Sequence, residues 1–229
     1  METITERLAQ ILERIKAASG DRKDVKLIAV SKTKPVELIL QAFQAGQRRF
    51  GENRVQEARD KHGQMPAEID WHLIGPLQKN KAKYCPSIFS TIHSLHRMDV
   101  AEALNKKCLQ LNITLDVLFQ MNLTEESTKS GLTSVEELQR LADQVMSCEG
   151  LRIKGLMTIG NPLASDRENQ ALFASLYEIN QKEAQRLGLQ DSMVELSTGM
   201  SSDFELALKE GATYVRVGSA IFGKRNYSQ

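Results

Sequence analysis

The chain has 229 residues, with Lys+Arg 30 against Asp+Glu 29 and a formal net charge of +1. That balance argues against a nucleic-acid partner or an anionic membrane surface. Hydrophobic content of 41% and charged content of 26% match a soluble globular chain, and no apolar run approaches the roughly 18 residues of a membrane span.

Cys85, Cys108 and Cys148 lack CxxC or metal spacing and read as reduced, partly buried residues. Charged residues interrupt the N-terminus, so it does not read as a signal peptide, and a cytoplasmic protein is expected. Residues 1–229 are expected to form one domain, a length that an α/β barrel occupies without division.

Residues 3–18 read as an amphipathic helix, with Ile4, Leu8, Ile11, Leu12 and Ile15 on one face. A strand at 26–30 follows. Pro35 suits a first helical turn, and Val36 to Ala45 form a helix that Gly46 stops. The alternation then continues: strands at 48–51, 71–74, 88–92, 115–121, 151–159, 193–196 and 214–217, and helices at 55–61, 98–109, 135–146, 168–187 and 203–209. A short helix through Lys83 lies between the third and fourth strands. About eight strand–helix units over this length predict a (β/α)8 barrel with a parallel sheet. A dozen residues follow the last strand, too few for a regular eighth helix, so the helix at 3–18 is expected to cover that side.

Barrel sites form where the strands end, and the last two loops often hold a phosphate. The first strand delivers Lys32 and Lys34 to that end. Lys32 is the preferred nucleophile, because Lys34 precedes Pro35 and is already leaving the barrel. The seventh loop runs Ser197-Thr198-Gly199-Met200-Ser201-Ser202-Asp203. Gly199 allows a close turn, N–H groups near Ser201 and Ser202 face an anion, and Ser202 with Glu205 has capping-box spacing. The eighth strand ends in Gly218-Ser219. Arg216 alternates with Val215 and Val217, which puts it inside the barrel. It reads either as an internal ion pair with Glu52 or Glu195 or as a donor to a bound anion or heteroaromatic nitrogen. Asn53 is equally a helix N-cap or a ligand contact. Glu52 and His72 are expected to reach the same mouth, with Trp71 packed outward. His72 is kept as a structural residue. His62, His93 and His96 have no metal spacing, so no metal site is expected. A lysine, a phosphate cradle and an arginine at one mouth suggest pyridoxal phosphate held as a Schiff base, with a cofactor-free phosphosugar barrel as a rival.

The chain also resembles the pyridoxal phosphate homeostasis protein family. The matching stretches are LIAVSKTKP at 27–35, FGENRVQEA at 50–58, WHLIGPLQKNK at 71–81, KSGL at 129–132, GLM at 155–157 and VRVGSAIFG at 215–223. The resemblance implies a single-domain barrel of the alanine-racemase N-terminal-domain type with pyridoxal 5′-phosphate on Lys32. It further implies phosphate contacts from Met200, Ser201, Ser202, Gly218 and Ser219, with Arg216 approaching the pyridine nitrogen. Thr198 stands where the family has methionine, Ser219 where many relatives have threonine, and Ser94-Leu95-His96-Arg97 departs from the usual acidic–arginine pair.

An arginine at the ring nitrogen weakens the cofactor as an electron sink. The resemblance therefore implies a monomeric carrier that maintains intracellular vitamin B6 and affects amino acid and keto acid pools indirectly, without robust catalysis. Its partners would be the cofactor and pyridoxal-phosphate-dependent apoenzymes. The alternative is an amino-acid racemase using Lys32 as a base.

Overall fold

The structure is a computed structural model that describes residues 2–20, 22–124 and 130–223. Within the matching stretch 129–132, Lys129 lies outside the described residues.

Eight parallel strands close into a barrel in sequence order: β1 (Lys26–Val30), β2 (Arg49–Glu52), β3 (Asp70–Leu73), β4 (Thr91–Leu95), β5 (Leu115–Gln120), β6 (Leu151–Met157), β7 (Glu195–Ser197) and β8 (Tyr214–Val217). Closure is direct, with Lys26 to Ala29 of β1 in register with Tyr214 to Val217 of β8. Around them lie α1 (Ile4–Ser19), α2 (Val36–Gln44), α3 (Val55–His62), α4 (Lys79–Ala82), α5 (Met98–Leu111), α6 (Val135–Val145), α7 (Asp166–Leu187), α8 (Phe204–Lys209) and α9 (Ser219–Phe222). The (β/α)8 barrel expected from the alternation is the observed fold.

The helices form where capping and periodicity agree. Thr3 and Glu6 make a capping box for α1, and Ser165 and Glu168 make one for α7. Gly188 ends α7 in the left-handed conformation at φ +70°. Helix α1 buries Ile4, Leu8, Ile11 and Ile15, each stabilising by roughly 1.5–3 kcal/mol if fully removed from water. It packs on α8 and α9, where Arg14 pairs with Glu205 at 2.5 Å and lies 4.7 Å from the Phe204 ring centroid. The N-terminal helix thus covers the side that lacks a long helix after β8.

One hydrophobic core fills the space between strands and helices. Outward residues such as Leu27, Ala29, Trp71, Leu73, Val215 and Val217 belong to it, while their alternates point into the barrel. Trp71 packs against Phe50 with centroids 6.0 Å apart, under the helices as expected. Gly155 sits at φ +152°, where an added Cβ would lie 1.7 Å from the Glu195 carbonyl oxygen. Only glycine lets β6 approach β7 this closely.

Several boundaries differ from expectation: β6 ends at Met157 and not at 159, and β7 runs Glu195–Ser197 and not 193–196. The fourth strand is Thr91–Leu95, not 88–92, because the Ile88 and Phe89 N–H groups both donate to the Cys85 carbonyl in a 3-10 turn over Cys85–Ser87. The shift puts His93 in the barrel interior. A short helix, α9, also forms directly after β8.

Candidate functional site

At the carboxyl end of the strands lies a cavity of about 430 Å³. Its position follows from strand parity. Ile28, Val30 and Lys32 fall on one side of the β1 line, so the inward-facing valine is followed by a lysine at the rim. Lys32 is half-buried and lines the cavity. Beside it, past the neighbouring strand β8, stand Gly218 and Ser219 from the β8 loop and Met200, Ser201 and Ser202 from the β7 loop. Asn53 also lines it. Lys32, Asn53, Met200, Ser201, Ser202, Arg216, Gly218 and Ser219 therefore face one space.

The two loops meet through hydroxyls: Ser201 Oγ and Ser219 Oγ are 3.5 Å apart. Gly199 is what shapes the β7 loop. At φ +85° it leans on α8, where an added Cβ would stand 2.7 Å from Ala207 Cβ and 2.8 Å from Phe204 Cα. The glycine serves close loop–helix packing and does not line the cavity, contrary to its expected role beside a ligand. Ser202 does not cap α8 either. The N-cap is Asp203, whose Oδ1 accepts from the Met200 N–H at 2.6 Å, while Glu205 is paired with Arg14. The carboxylate closes a tight turn that leaves Ser201 and Ser202 facing the cavity. Burial raises the Asp203 pKa, opposed by the Met200 hydrogen bond and the Arg216 charge.

Arg216 is not an internal ion pair with Glu52 or Glu195. Its Nη1 donates to Ser197 Oγ at 2.7 Å and its Nη2 to the Thr158 carbonyl at 2.8 Å. Glu52 is bound to Ser31 and Lys61, and Glu195 to Lys26 and Thr213. Burial pulls the guanidinium down to about 10, with Asp203 opposing, so it stays a cation at neutral pH. A buried cation held by two neutral acceptors leaves its charge available to a ligand.

Three further readings are corrected. Asn53 is not an N-cap; that position is Arg54, which makes no side-chain cap. Glu52 points away from the mouth toward α3. His72 lies below the mouth, in register with Gly51 and Thr91; its Nδ1 is 2.9 Å from His93 Nε2, and both rings meet Tyr214 edge-on. Ile74, two residues further along the same face, reaches the cavity instead.

The remaining walls are Val30, Ile74, Pro76 and Ile159, with Gln120 held by its Nε2 donating to the Ser130 carbonyl at 2.7 Å. Sequence reasoning left Ile74, Pro76 and Ile159 without a role, because apolar wall residues carry no polar signature, and it also passed over Gln120, a polar residue at the end of an apolar strand. Lys34 also reaches the rim, and its Nζ donates to the carbonyls of Phe222 at 3.2 Å and Gly223 at 3.0 Å. Apolar walls, an amine, two neighbouring hydroxyls and a buried cation around one cavity suit a flat heteroaromatic ring carrying an aldehyde and a phosphate.

Residues 5–226 match the family described as alanine racemase, N-terminal domain. The pyridoxal phosphate homeostasis protein of Pseudomonas aeruginosa is 40% identical over 232 residues, covering 99% of this chain and 98% of that protein. Among solved structures, PipY of Synechococcus elongatus is 37% identical, covers 96% of this chain and 100% of its own, and has been solved without PLP at a TM-score of 0.88 and with PLP bound at 0.87. Alanine racemase of Clostridium difficile superposes with a TM-score of 0.76 at 15% identity over 97% of this chain and 57% of that one, which is a likeness of fold. The chain belongs to the pyridoxal phosphate homeostasis protein family.

Proposed function

We propose that this protein binds pyridoxal 5′-phosphate at the barrel mouth, holds it on Lys32, and serves as an intracellular carrier of the cofactor. The observation that carries the reading is the convergence of Lys32, Ser201, Ser219 and Arg216 on one cavity. The cofactor supplies an aldehyde that condenses with a primary amine, releasing water. Lys32 is the amine placed for this, between an apolar wall and the rim. Ser201 and Ser219, with the backbone of Ser202 and Gly218, would bind the phosphate. Arg216 would face the ring nitrogen and disfavour a proton there. Asn53 would hold the ring edge from the β2 side.

Carrying the cofactor is favoured over using it. Among the described residues that line the cavity, the basic groups are Lys32, Lys34 and Arg216, and Lys34 is committed to the carbonyls that end α9. No histidine or tyrosine among them is placed to move a second proton, since His72 and His93 hydrogen-bond to each other lower in the barrel. Effects on amino acid and keto acid pools would then arise through the apoenzymes that receive the cofactor.

A visible spectrum before and after borohydride, with mapping of the modified residue, tests the reading. The expected result is a yellow protein that loses its colour on Lys32→Ala and carries the reduced adduct on Lys32. Sustained exchange of the α-hydrogen of L-amino acids in deuterated water, with loss of optical rotation, would replace the carrier by a racemase.

A further inference from the structure

The turn that presents Lys32 is held from outside the barrel by residues that do not line the cavity. Ser31 and Thr33, on either side of Lys32, are both anchored. Lys61 Nζ donates to the Ser31 carbonyl at 2.9 Å, and Ser31 Oγ donates to Glu52 Oε1 at 2.7 Å. The Thr33 N–H donates to Glu57 Oε1 at 2.5 Å. Lys61 ties these together, donating also to Glu52 Oε1 at 2.9 Å and Glu57 Oε1 at 2.6 Å. Its three ammonium hydrogens thus meet three acceptors. Glu57 and Lys61 are one turn apart on α3 and so share a face.

Thr33 requires such anchoring. Its φ of +60° is left-handed, although it is β-branched and not glycine. That conformation persists only where its surroundings over-determine it. Within the turn itself, the Lys34 N–H donates to the Ser31 carbonyl at 3.0 Å. An isolated buried ion pair is weak evidence of a stabilising role. Here, however, the cluster spends its hydrogen bonds on the backbone immediately before and after Lys32.

We propose that Lys61, acting with Glu52 and Glu57, is a positioning residue that aims Lys32 into the cavity, so that it governs covalent capture of the aldehyde and leaves phosphate recognition untouched. The proposal rests on the reading of Lys32 as the attachment point. The phosphate loops belong to β7 and β8, on the other flank of β1 from β2 and α3, which is why the two steps should separate.

The test compares two ligands on wild type, Lys61→Met, Glu57→Ala and Glu57→Gln. Pyridoxal 5′-phosphate with borohydride reports capture at Lys32, followed by absorbance and peptide mapping. Pyridoxine 5′-phosphate has the ring and phosphate but an alcohol in place of the aldehyde, and calorimetry reports its binding. Lys61→Met and Glu57→Ala are expected to slow capture at least tenfold and leave pyridoxine 5′-phosphate affinity within twofold. Glu57→Gln, whose amide oxygen can still accept from Thr33, is expected to retain most of the capture rate. Equal losses for both ligands, or unchanged capture in Lys61→Met and Glu57→Ala, would overturn the proposal. If Lys61→Met fails to fold, the Glu57 pair, at a partly buried site, decides the matter. Wild-type protein that forms no adduct on Lys32 would instead remove the attachment reading, and this inference with it.

Discussion

Arg216 on β8 and Ser197 on the neighbouring β7 are joined by a 2.7 Å hydrogen bond inside the barrel, and among the described residues no carboxylate pairs with the guanidinium. An arginine buried for structure alone would be expected to have a carboxylate partner, since its desolvation is costly. Arg216→Met removes that buried charge but strands Ser197 and the Thr158 carbonyl, an unsatisfied-group cost of about 1–3 kcal/mol. The variant should fold with a modest loss of stability by urea titration, while pyridoxal 5′-phosphate affinity drops more than tenfold. Unchanged affinity would make Arg216 a purely structural residue.

The 3.5 Å approach of Ser201 and Ser219 joins two loops eighteen residues apart in sequence. A hydrogen bond to a charged group contributes about 1.5–3 kcal/mol, so Ser201→Ala and Ser219→Ala should each weaken pyridoxine 5′-phosphate binding by roughly tenfold or more. Because the hydroxyls are neighbours, the double variant should lose less than the sum. Unphosphorylated pyridoxine should bind all four proteins alike. Calorimetry with both ligands checks this, and equal losses for the two would place the serines away from the phosphate.

What the sequence revealed and what it hid follow one physical division. The barrel was legible because strand and helix periodicities differ and alternate eight times. The site was legible where a polar residue breaks an apolar strand, as Lys32 and Arg216 do. Parity placed Arg216 inside but could not name its partners, because those lie on β7 and just past β6, distant in sequence. His72 went to the wrong level for a related reason. Its face was right, but how far along the strand it sits depends on register, which only pairing with Gly51 and Thr91 fixes. The Ser202–Glu205 spacing was a fair capping signal, overridden because Asp203 closes the turn on Met200 and Glu205 is drawn to Arg14. The Lys61 cluster was hidden for another reason: Glu52 read as a mouth residue or a partner of Arg216, and Glu57 and Lys61 look like solvent-facing surface until α3 packs.

At the amino end of β3, Asp70 is a carboxylate held in its charged form by its neighbours. Burial alone would raise it, but the His72 imidazole 3.2 Å away, then Ser90 and Arg49, outweigh that and hold it at about 2, below its ordinary 3.8. A folded pKa below the unfolded one contributes stability that is present above about pH 3.8 and lost as the pH falls through 3.8 toward 2. Wild type should therefore exceed Asp70→Asn in stability near neutrality, and the gap should close between about pH 4 and pH 2. Urea unfolding of both proteins across that range is the measurement. A gap independent of pH would mean that Asp70 acts through packing and not through its charge.

Thr198 offers a test in the opposite direction. It stands at the end of β7 where the family pattern has methionine, and it is almost fully buried. Its N–H donates to the Tyr214 carbonyl at 3.1 Å, yet its Oγ1 has no hydrogen-bond partner among the described residues. A buried unpartnered hydroxyl costs about 1–3 kcal/mol, whereas a methyl group of the same shape carries no such penalty. Thr198→Val keeps the β-branched outline and the backbone bond, so it should raise stability by about 1 kcal/mol. Gly199 and the Met200–Asp203 turn begin at the next residue and keep their packing, so pyridoxine 5′-phosphate affinity should stay within twofold. Chemical unfolding and calorimetry on the one variant decide both points. A destabilised Thr198→Val would show that the hydroxyl is satisfied in solution, and weaker ligand binding would show that it helps to set the phosphate loop.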